Sequence, residues 1–338
     1  MRKVPFLDYR EVLVTGGTGF LGRHVCRALI ARGIVPRLLV RIGSEGRIPE
    51  DARLACRVTP GDVTNRECVE NAAQSTGAIV HLAGIIREFP ARGETFENVH
   101  VEGTRHAVQA AKRWRIERFV HVSALGAAAG APSGYFDSKG RAEEIVRNSG
   151  LSWTIFRPAG IFGPGDRFFT ELGRTVRRAP VLPVPGDGKF LLQPVFVGDL
   201  VKGIADCLAR PDTEKRAFDV GGPERFPYNE LVDRIAAKAG ARVLKAHISV
   251  PRIRRATRFL SRFEKFPLGP EMLDVLLAGT TCDSAPYFST FGLEPMPVSA
   301  YLDSLPATEG PSGAGTSAGG GRSMPSKGEE GYGGGKAA

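Results

Sequence analysis

Tyr135 and Lys139 stand four residues apart in Tyr135-Phe-Asp-Ser-Lys139. On a helix that spacing puts a phenol and an amine on one face. An ammonium beside a phenol lowers its pKa, which makes Tyr135 a candidate proton donor or acceptor and Lys139 its tuner and a ribose anchor. Ser123, 12 residues before the tyrosine, is placed to polarise a substrate carbonyl. Tyr-x-x-x-Lys arises often by chance, and a packed Tyr beside a Lys that only holds ribose is the competing reading. Position along the chain gives the pair its weight.

The phosphate end of such a site is visible earlier, in Val12-Leu-Val-Thr-Gly-Gly-Thr-Gly-Phe-Leu-Gly22. Gly16, Gly19 and Gly22 form G-x-x-G-x-x-G between an apolar run and a helical pattern. Glycine there permits a tight turn, close approach of a pyrophosphate and close helix–sheet packing. With Thr18, Phe20 and Leu21, these residues are expected to offer the helix N-terminus to the phosphates of a dinucleotide. Arg41 falls 19 residues after Gly22, where an NAD site would carry an acid for the ribose 2′-hydroxyl. A guanidinium suits a 2′-phosphate, which favours NADP(H) over NAD(H); an ordinary surface arginine is the alternative. Asp62 is expected to accept from the adenine amino group, with Val63 against the ring. His81-Leu82-Ala83-Gly84 is expected to end the fourth strand, where small residues let the backbone pass near the nicotinamide ribose.

These residues need a frame in which strands end along one edge. Val12–Val14, Pro36–Val40, Cys56–Thr59, Ala78–Leu82, Arg118–Val122 and Trp153–Phe156 read as buried strands. Phe20–Ala31, Thr95–Arg113 and Lys139–Asn148 read as helices between them. Strands alternating with helices predict an α/β, Rossmann-type doubly wound parallel sheet, which binds ligands at its carboxyl edge. Beyond Pro158 the pattern becomes irregular. Pro and Gly crowd 158–165 and 180–188, predicting long loops, and helices return at Leu200–Ala209, Tyr228–Ala239 and Arg254–Phe263. The expected organisation is a dinucleotide-binding core over 1–158 and a smaller cap over 159–305 that borrows some core elements. A tail over 306–338, with 11 Gly and a single aromatic residue, reads as disordered.

Across the chain's 338 residues, 42% hydrophobic and 24% charged, a wholly disordered or collagen-like protein is excluded. No run approaches the ~18 apolar residues of a transmembrane helix. The start, Met1-Arg-Lys-Val-Pro-Phe-Leu-Asp8, has no apolar h-region, so no secretory signal is expected. Five scattered cysteines without a Cys-x-x-Cys pair fit a reducing cytoplasm better than a disulfide framework or a zinc site. The six histidines have no metal spacing, so each is expected to be packed or at the surface. The net charge of +10 asks for an anionic partner. Nucleic acid is disfavoured, because no zinc-finger spacing, RNP motif or aromatic-interleaved basic repeat is present. Residues 251–266 carry six bases and one acid beside an apolar stripe of Ile253, Ala256, Leu260 and Phe263. Either that stripe docks the helix on the cap, or the helix lies peripherally at the inner face of an anionic membrane.

Residues 12–22, 61–63, 81–84, 123 and 135–139 together resemble the extended and atypical branches of the short-chain dehydrogenase/reductase superfamily. The likeness runs over 11–305 and includes Val101-Glu-Gly-Thr104, Arg157-Pro158, Ile161-Phe-Gly-Pro-Gly-Asp-Arg-Phe168, Val195-Phe-Val-Gly-Asp199 and Phe218-Asp-Val-Gly-Gly-Pro223. Val122-Ser-Ala-Leu-Gly126, Trp153-Thr-Ile-Phe-Arg-Pro158 and Gly292-Leu-Glu-Pro295 look most like one group. That group is the nucleotide-binding alpha subcomplex subunit nine of respiratory complex I and its bacterial relatives. The resemblance implies an oxidoreductase or epimerase type of protein, with Arg157 and Pro158 joining the cofactor-binding residues. The same resemblance also implies a non-catalytic alternative, in which bound NADPH serves a membrane assembly, and a small-molecule substrate related to quinone or lipid. Two positions depart from the pattern. His100 stands where extended members usually carry an Asn, and the interval from Ser123 to Tyr135 is half the usual length.

Overall fold

A computed structural model describes residues 10–260, 270–279 and 281–305. The Gly-rich segment 306–338, the first nine residues and 261–266 of the basic segment lie outside the described residues.

Sheet strands and helices alternate from the start: β1 (Glu11–Thr15), α1 (Phe20–Ile30), β2 (Val35–Val40), α2 (Glu50–Arg53), β3 (Arg57–Pro60), α3 (Arg66–Ala73) and β4 (Ala78–His81). A π-helical turn over Glu97–Glu102 leads into α4 (Gly103–Arg113), followed by β5 (Arg118–Val122), α5 (Gly134–Arg147) and β6 (Ser152–Pro158). With β11 (Arg216–Val220) they form a seven-stranded parallel sheet in the order β11-β6-β5-β4-β1-β2-β3. Chain direction across the sheet reverses between β1 and β4, which opens the crevice where such folds bind ligands.

The strands read as near-continuous apolar runs because both faces are covered. Val12 and Val14 face one layer, with Val25 and Leu29 of α1, while Leu13 faces the other, with Ala107 and Ala111 of α4. The first layer is completed by α7 (Val197–Asp206) and α11 (Ala285–Phe291), whose Leu200, Ile204, Tyr287 and Phe291 join the same core. Arg118 is buried at the base of β5 and donates to the carbonyls of Cys207 (2.7 Å) and Ser152 (2.8 Å) and to Thr154 Oγ1 (2.7 Å). Its cation thus meets the negative end of the helix that precedes Cys207.

Beyond β6 the expected long loops are partly strands. β7 (Ile161–Phe162) pairs with β10 (Val195–Phe196), and β8 (Val181–Pro185) pairs in parallel with β13 (Leu244–Ile248). Pro183 and Pro185 are tolerated there because a two-stranded ribbon leaves one edge of each strand without a ladder partner. A third core joins α6 (Phe168–Arg178), β9 (Leu191–Leu192), β12 (Phe226–Pro227), α8 (Tyr228–Lys238) and α12 (Val298–Ser304) through residues such as Phe162, Phe169, Leu231 and Tyr301. α9 (Val250–Leu260) and α10 (Pro270–Leu277) meet through Arg254 and Asp274 at 2.6 Å. No helix among the described residues is long and apolar enough to cross a membrane.

Candidate functional site

The crevice between β1 and β4 is where the glycine run lies. Gly16 has φ +72°, and a Cβ there would sit 2.8 Å from the backbone nitrogen of Ala83. A Cβ on Gly22 would come 2.2 Å from the Gly16 carbonyl oxygen, so α1 packs directly on the turn. α1 starts at Phe20 with no side-chain cap from Gly19 and no acid in its first turn. Its positive end is therefore left to an external anion. β4 ends at His81, one residue short of the expected strand, and the backbone of Leu82 and Ala83 just beyond it lies against Gly16. A bare glycine cradle at a helix N-terminus fits the pyrophosphate of a dinucleotide.

The second group of residues sits one strand further on. Lys139 is buried and its Nζ donates to the carbonyl of Val122 at 2.7 Å, the residue just before Ser123. Ser123 is buried too, and its Oγ meets no hydrogen-bond partner among the described residues. An orphaned hydroxyl at a strand's carboxyl end is costly unless a ligand satisfies it. Tyr135 opens the first turn of α5, edge-on to Phe96, His100 and Phe136. The short interval between Ser123 and Tyr135 works because the connecting loop folds back on α5. Ala128 N donates to the Phe136 carbonyl and Gly130 N to Asp137 Oδ1. Gly140 admits that loop, since a Cβ there would lie 2.2 Å from the carbonyl carbon of Ala128.

Burial sets the proton affinities here. The Tyr135 phenol is pushed up to about 12 and the Lys139 ammonium down to about 8 by desolvation, with Glu143 partly opposing the latter. The expected acidification of the phenol by Lys139 is not seen, because loss of water around the phenol dominates. At neutral pH Tyr135 is a protonated donor.

Three buried histidines, placed by sequence only as packed or surface residues, complete this layer. His100 lies in the π-helical turn, where its Nε2 accepts from the Ile85 amide at 3.0 Å and its Nδ1 meets Ser138 Oγ at 2.8 Å. The amide donor requires a bare Nε2, so Nδ1 carries the proton and donates to Ser138, which in turn donates to the Tyr135 carbonyl at 2.9 Å. His100 thereby ties the turn after β4 to the helix of Tyr135. Burial and the charge of Lys139 hold its pKa down at about 2. His81 bridges Thr15 Oγ1 (2.8 Å) and Thr104 Oγ1 (3.1 Å), and His121 stacks on it at 5.5 Å with neither ring nitrogen partnered among the described residues. The signal for His100 was its place in the Val-x-Gly-Thr helix; nothing local marks His121 or Ser138.

At the opposite end of the crevice, Arg41 follows β2 and forms an ion pair with Glu94. Asp62 Oδ1 accepts from the amide and the hydroxyl of Thr64, both at 2.9 Å, closing the turn after β3. Val63 packs on Gly103 and gives its carbonyl to His106 Nδ1 at 3.1 Å. Arg157 turns its guanidinium to Glu143 of α5, with Nε at 2.8 Å, and Pro158 ends β6 opposite Val220. Among the described residues no group of three or more His, Cys, Asp or Glu could hold a metal ion.

Comparison with known proteins agrees with this architecture. The family described as NAD dependent epimerase/dehydratase matches residues 12–221. A ceramide reductase of Caulobacter vibrioides is 39% identical over 173 residues, covering 51% of this chain and 53% of that protein. The NADH dehydrogenase [ubiquinone] 1 alpha subcomplex subunit 9 of Mus musculus is 33% identical over 237 residues, covering 66% of this chain and 59% of the relative. The chain thus spans little more than half the length of these curated relatives. The Thermus thermophilus UDP-glucose 4-epimerase, solved with NAD, superposes with a TM-score of 0.59 at 22% identity, over 71% of this chain and 86% of that one, a likeness of fold. The chain belongs to the NAD-dependent epimerase/dehydratase family.

Proposed function

From that membership as premise, we propose that the protein is an NADP(H)-dependent oxidoreductase acting on the carbonyl or alcohol group of an apolar, quinone- or lipid-related small molecule. The observation that carries this reading is a trio on β5 and α5: buried Ser123 with an unsatisfied hydroxyl, buried Lys139 bonded to the adjacent carbonyl, and half-buried Tyr135 one turn before the lysine. The dinucleotide, when bound, supplies or takes up the hydride. Ser123 Oγ orients the substrate oxygen, and Tyr135 gives that oxygen its phenolic proton as the carbonyl becomes an alcohol. Lys139 donates to ribose hydroxyls and steadies the phenolate left behind. Gly16, Gly19 and Gly22, with Thr18, Phe20 and Leu21, hold the pyrophosphate, and Leu82, Ala83 and Gly84 line the nicotinamide side. Arg41 meets a 2′-phosphate, Asp62 and Val63 meet adenine, and Arg157 and Pro158 close the far wall. The substrate lies under the cap segment 160–190. The ceramide reductase relative supports a lipid-like carbonyl compound.

A second reading has a specific observation behind it. On α9, Phe259 is 60% exposed, and Ala256 is exposed while Thr257 is buried. The apolar stripe expected from sequence is therefore not wholly committed to the cap; the Leu260 side chain and Phe263 lie outside the described residues. An exposed aromatic amid arginines suits peripheral contact with the inner face of an anionic membrane, and the complex I relative supports a non-catalytic NADPH-binding role in such a setting. The two readings separate on Tyr135→Phe. Oxidoreductase function predicts that NADPH oxidation with quinone or long-chain ketone acceptors disappears while NADPH binds nearly as before. Unchanged turnover in that variant would remove Tyr135 from the chemistry.

A further inference from the structure

Arg41 already has an anion on it. Residues 82–96 run from β4 to the π-helical turn and form a strap, with Phe89 and Glu94 paired across it: Phe89 N donates to the Glu94 carbonyl at 2.7 Å and Glu94 N to that of Phe89 at 3.3 Å. Gly93, at φ +71°, turns the tip, and Asn98 Nδ2 holds its carbonyl at 2.9 Å. The base of the strap is fixed by Ile85 N on His100 and by Phe96 N on Glu88 Oε1 at 2.6 Å. The Glu94 side chain leaves this unit and pairs with Arg41 at the end of β2. In the sheet, β1 separates β4 from β2. To reach Arg41 the strap therefore spans the carboxyl end of β1, the end from which the glycine run continues, and the Arg41–Glu94 pair is its latch.

We propose that Glu94 is a residue that sets dinucleotide choice: its carboxylate keeps Arg41 when the ribose carries a 2′-hydroxyl and gives it up to a 2′-phosphate, which unlatches the strap. The proposal rests on the reading that Arg41 receives the 2′-phosphate. Arg41 and Glu94 are 46% and 23% exposed, a weak, solvent-screened pair that exchanges readily. A phosphate brings three acceptor oxygens and more charge than a carboxylate, so it is the stronger partner. Both anions on one guanidinium would repel each other at close range. NADP(H) must therefore break the latch while NAD(H) leaves it closed, and Glu94 moderates the NADP(H) preference that Arg41 creates.

The test is equilibrium binding of NADPH and NADH to the full chain, followed by nucleotide fluorescence, for the parent, Glu94→Gln, Arg41→Ala and the double variant. Glu94→Gln is expected to tighten NADPH by roughly threefold, the scale of one exposed ion pair, with NADH unchanged. In the Arg41→Ala background the same substitution should have no effect. Trypsin should cut at Arg87 or Arg92 faster in the NADPH complex than in the NADH complex. Weaker NADPH binding by Glu94→Gln, or an equal gain without Arg41, would overturn the latch. Arg41→Ala leaving the NADPH-to-NADH ratio unchanged would instead overturn the reading of Arg41 itself. Unfolding temperatures of the variants, expected to match the parent, guard against a general loss of fold.

Discussion

The two ends of the crevice are built on opposite principles. At the Tyr135 end, side chains with ionisable or polar groups are shut away from water, and their proton affinities move by burial: Tyr135 up to about 12, Lys139 down to about 8, His100 down to about 2. At the Arg41 end, charges stand in partly exposed pairs, and screening keeps each contribution small. Chemistry that moves protons benefits from the first environment; recognition of a phosphate that must come and go benefits from the second. Substitutions should therefore have large effects at the buried end and small ones at the exposed end.

Glycine replacement gives the largest contrast. Gly140→Ala drives a Cβ into the backbone of Ala128 and Ala129 and should destabilise the fold by about 3 kcal/mol, since neither helix nor loop can yield cheaply. Gly43→Ala, beside Arg41, has φ +82° and open space, so only backbone strain of about 1 kcal/mol is expected. Urea denaturation of both variants checks the comparison; equal losses would break it.

Lys139 comes next. Its folded pKa lies below the unfolded value of 10.5, so between about pH 8 and 10.5 the unfolded chain binds more protons and stability rises with pH. Lys139→Met should remove that rise, amounting to about 3 kcal/mol at most, and should leave stability at pH 7 equal or higher while NAD(P)H binding weakens at least tenfold. Chemical denaturation at pH 7 and pH 9 tests the first statement, fluorescence titration the second. A variant that loses both stability and binding at pH 7 would mean the ammonium is a structural tie.

With Lys139 binding the ribose as proposed, NAD(P)H affinity of the parent should fall as pH rises through about 8, and Lys139→Met should flatten that profile. A profile unchanged in the variant would assign the titration to another group. The smallest effect is expected at α9. Glu in place of Arg252 and Arg255, both exposed, should lower sedimentation with anionic vesicles without altering dinucleotide binding. Undiminished sedimentation would count against membrane contact through this helix.

Most of the core was legible because a doubly covered parallel strand must be apolar on both faces, and β5 matches its expected bounds, Arg118–Val122. β2, β4 and β6 differ by one or two residues at their ends, where hydrogen bonding rather than hydrophobicity decides. The 180–188 segment was misread because its prolines signal a loop, whereas the partner strand Leu244–Ile248 lies sixty residues away and leaves no local trace. The placement of the glycine turn and of Tyr135 and Lys139 on one helix was legible because a tight turn and a single helical turn are both set by short, fixed spacing. The supports were not: Ser138, His121 and Glu94 act through partners on other elements, and only the folded chain brings His100 to Ser138 or Glu94 to Arg41. The helix before β5 ends at Arg113 as expected, but the π-helical form of Glu97–Glu102, which carries His100, was missed because it has the same apolar pattern as α-helix.

The most direct measurement of the central claim is the rate at which NADPH leaves the purified protein, with NADH alongside. Turnover requires the product dinucleotide to depart, so release within seconds, with NADPH the tighter ligand, is expected. Release over hours would contradict an oxidoreductase and leave the dinucleotide as a structural part of an assembly.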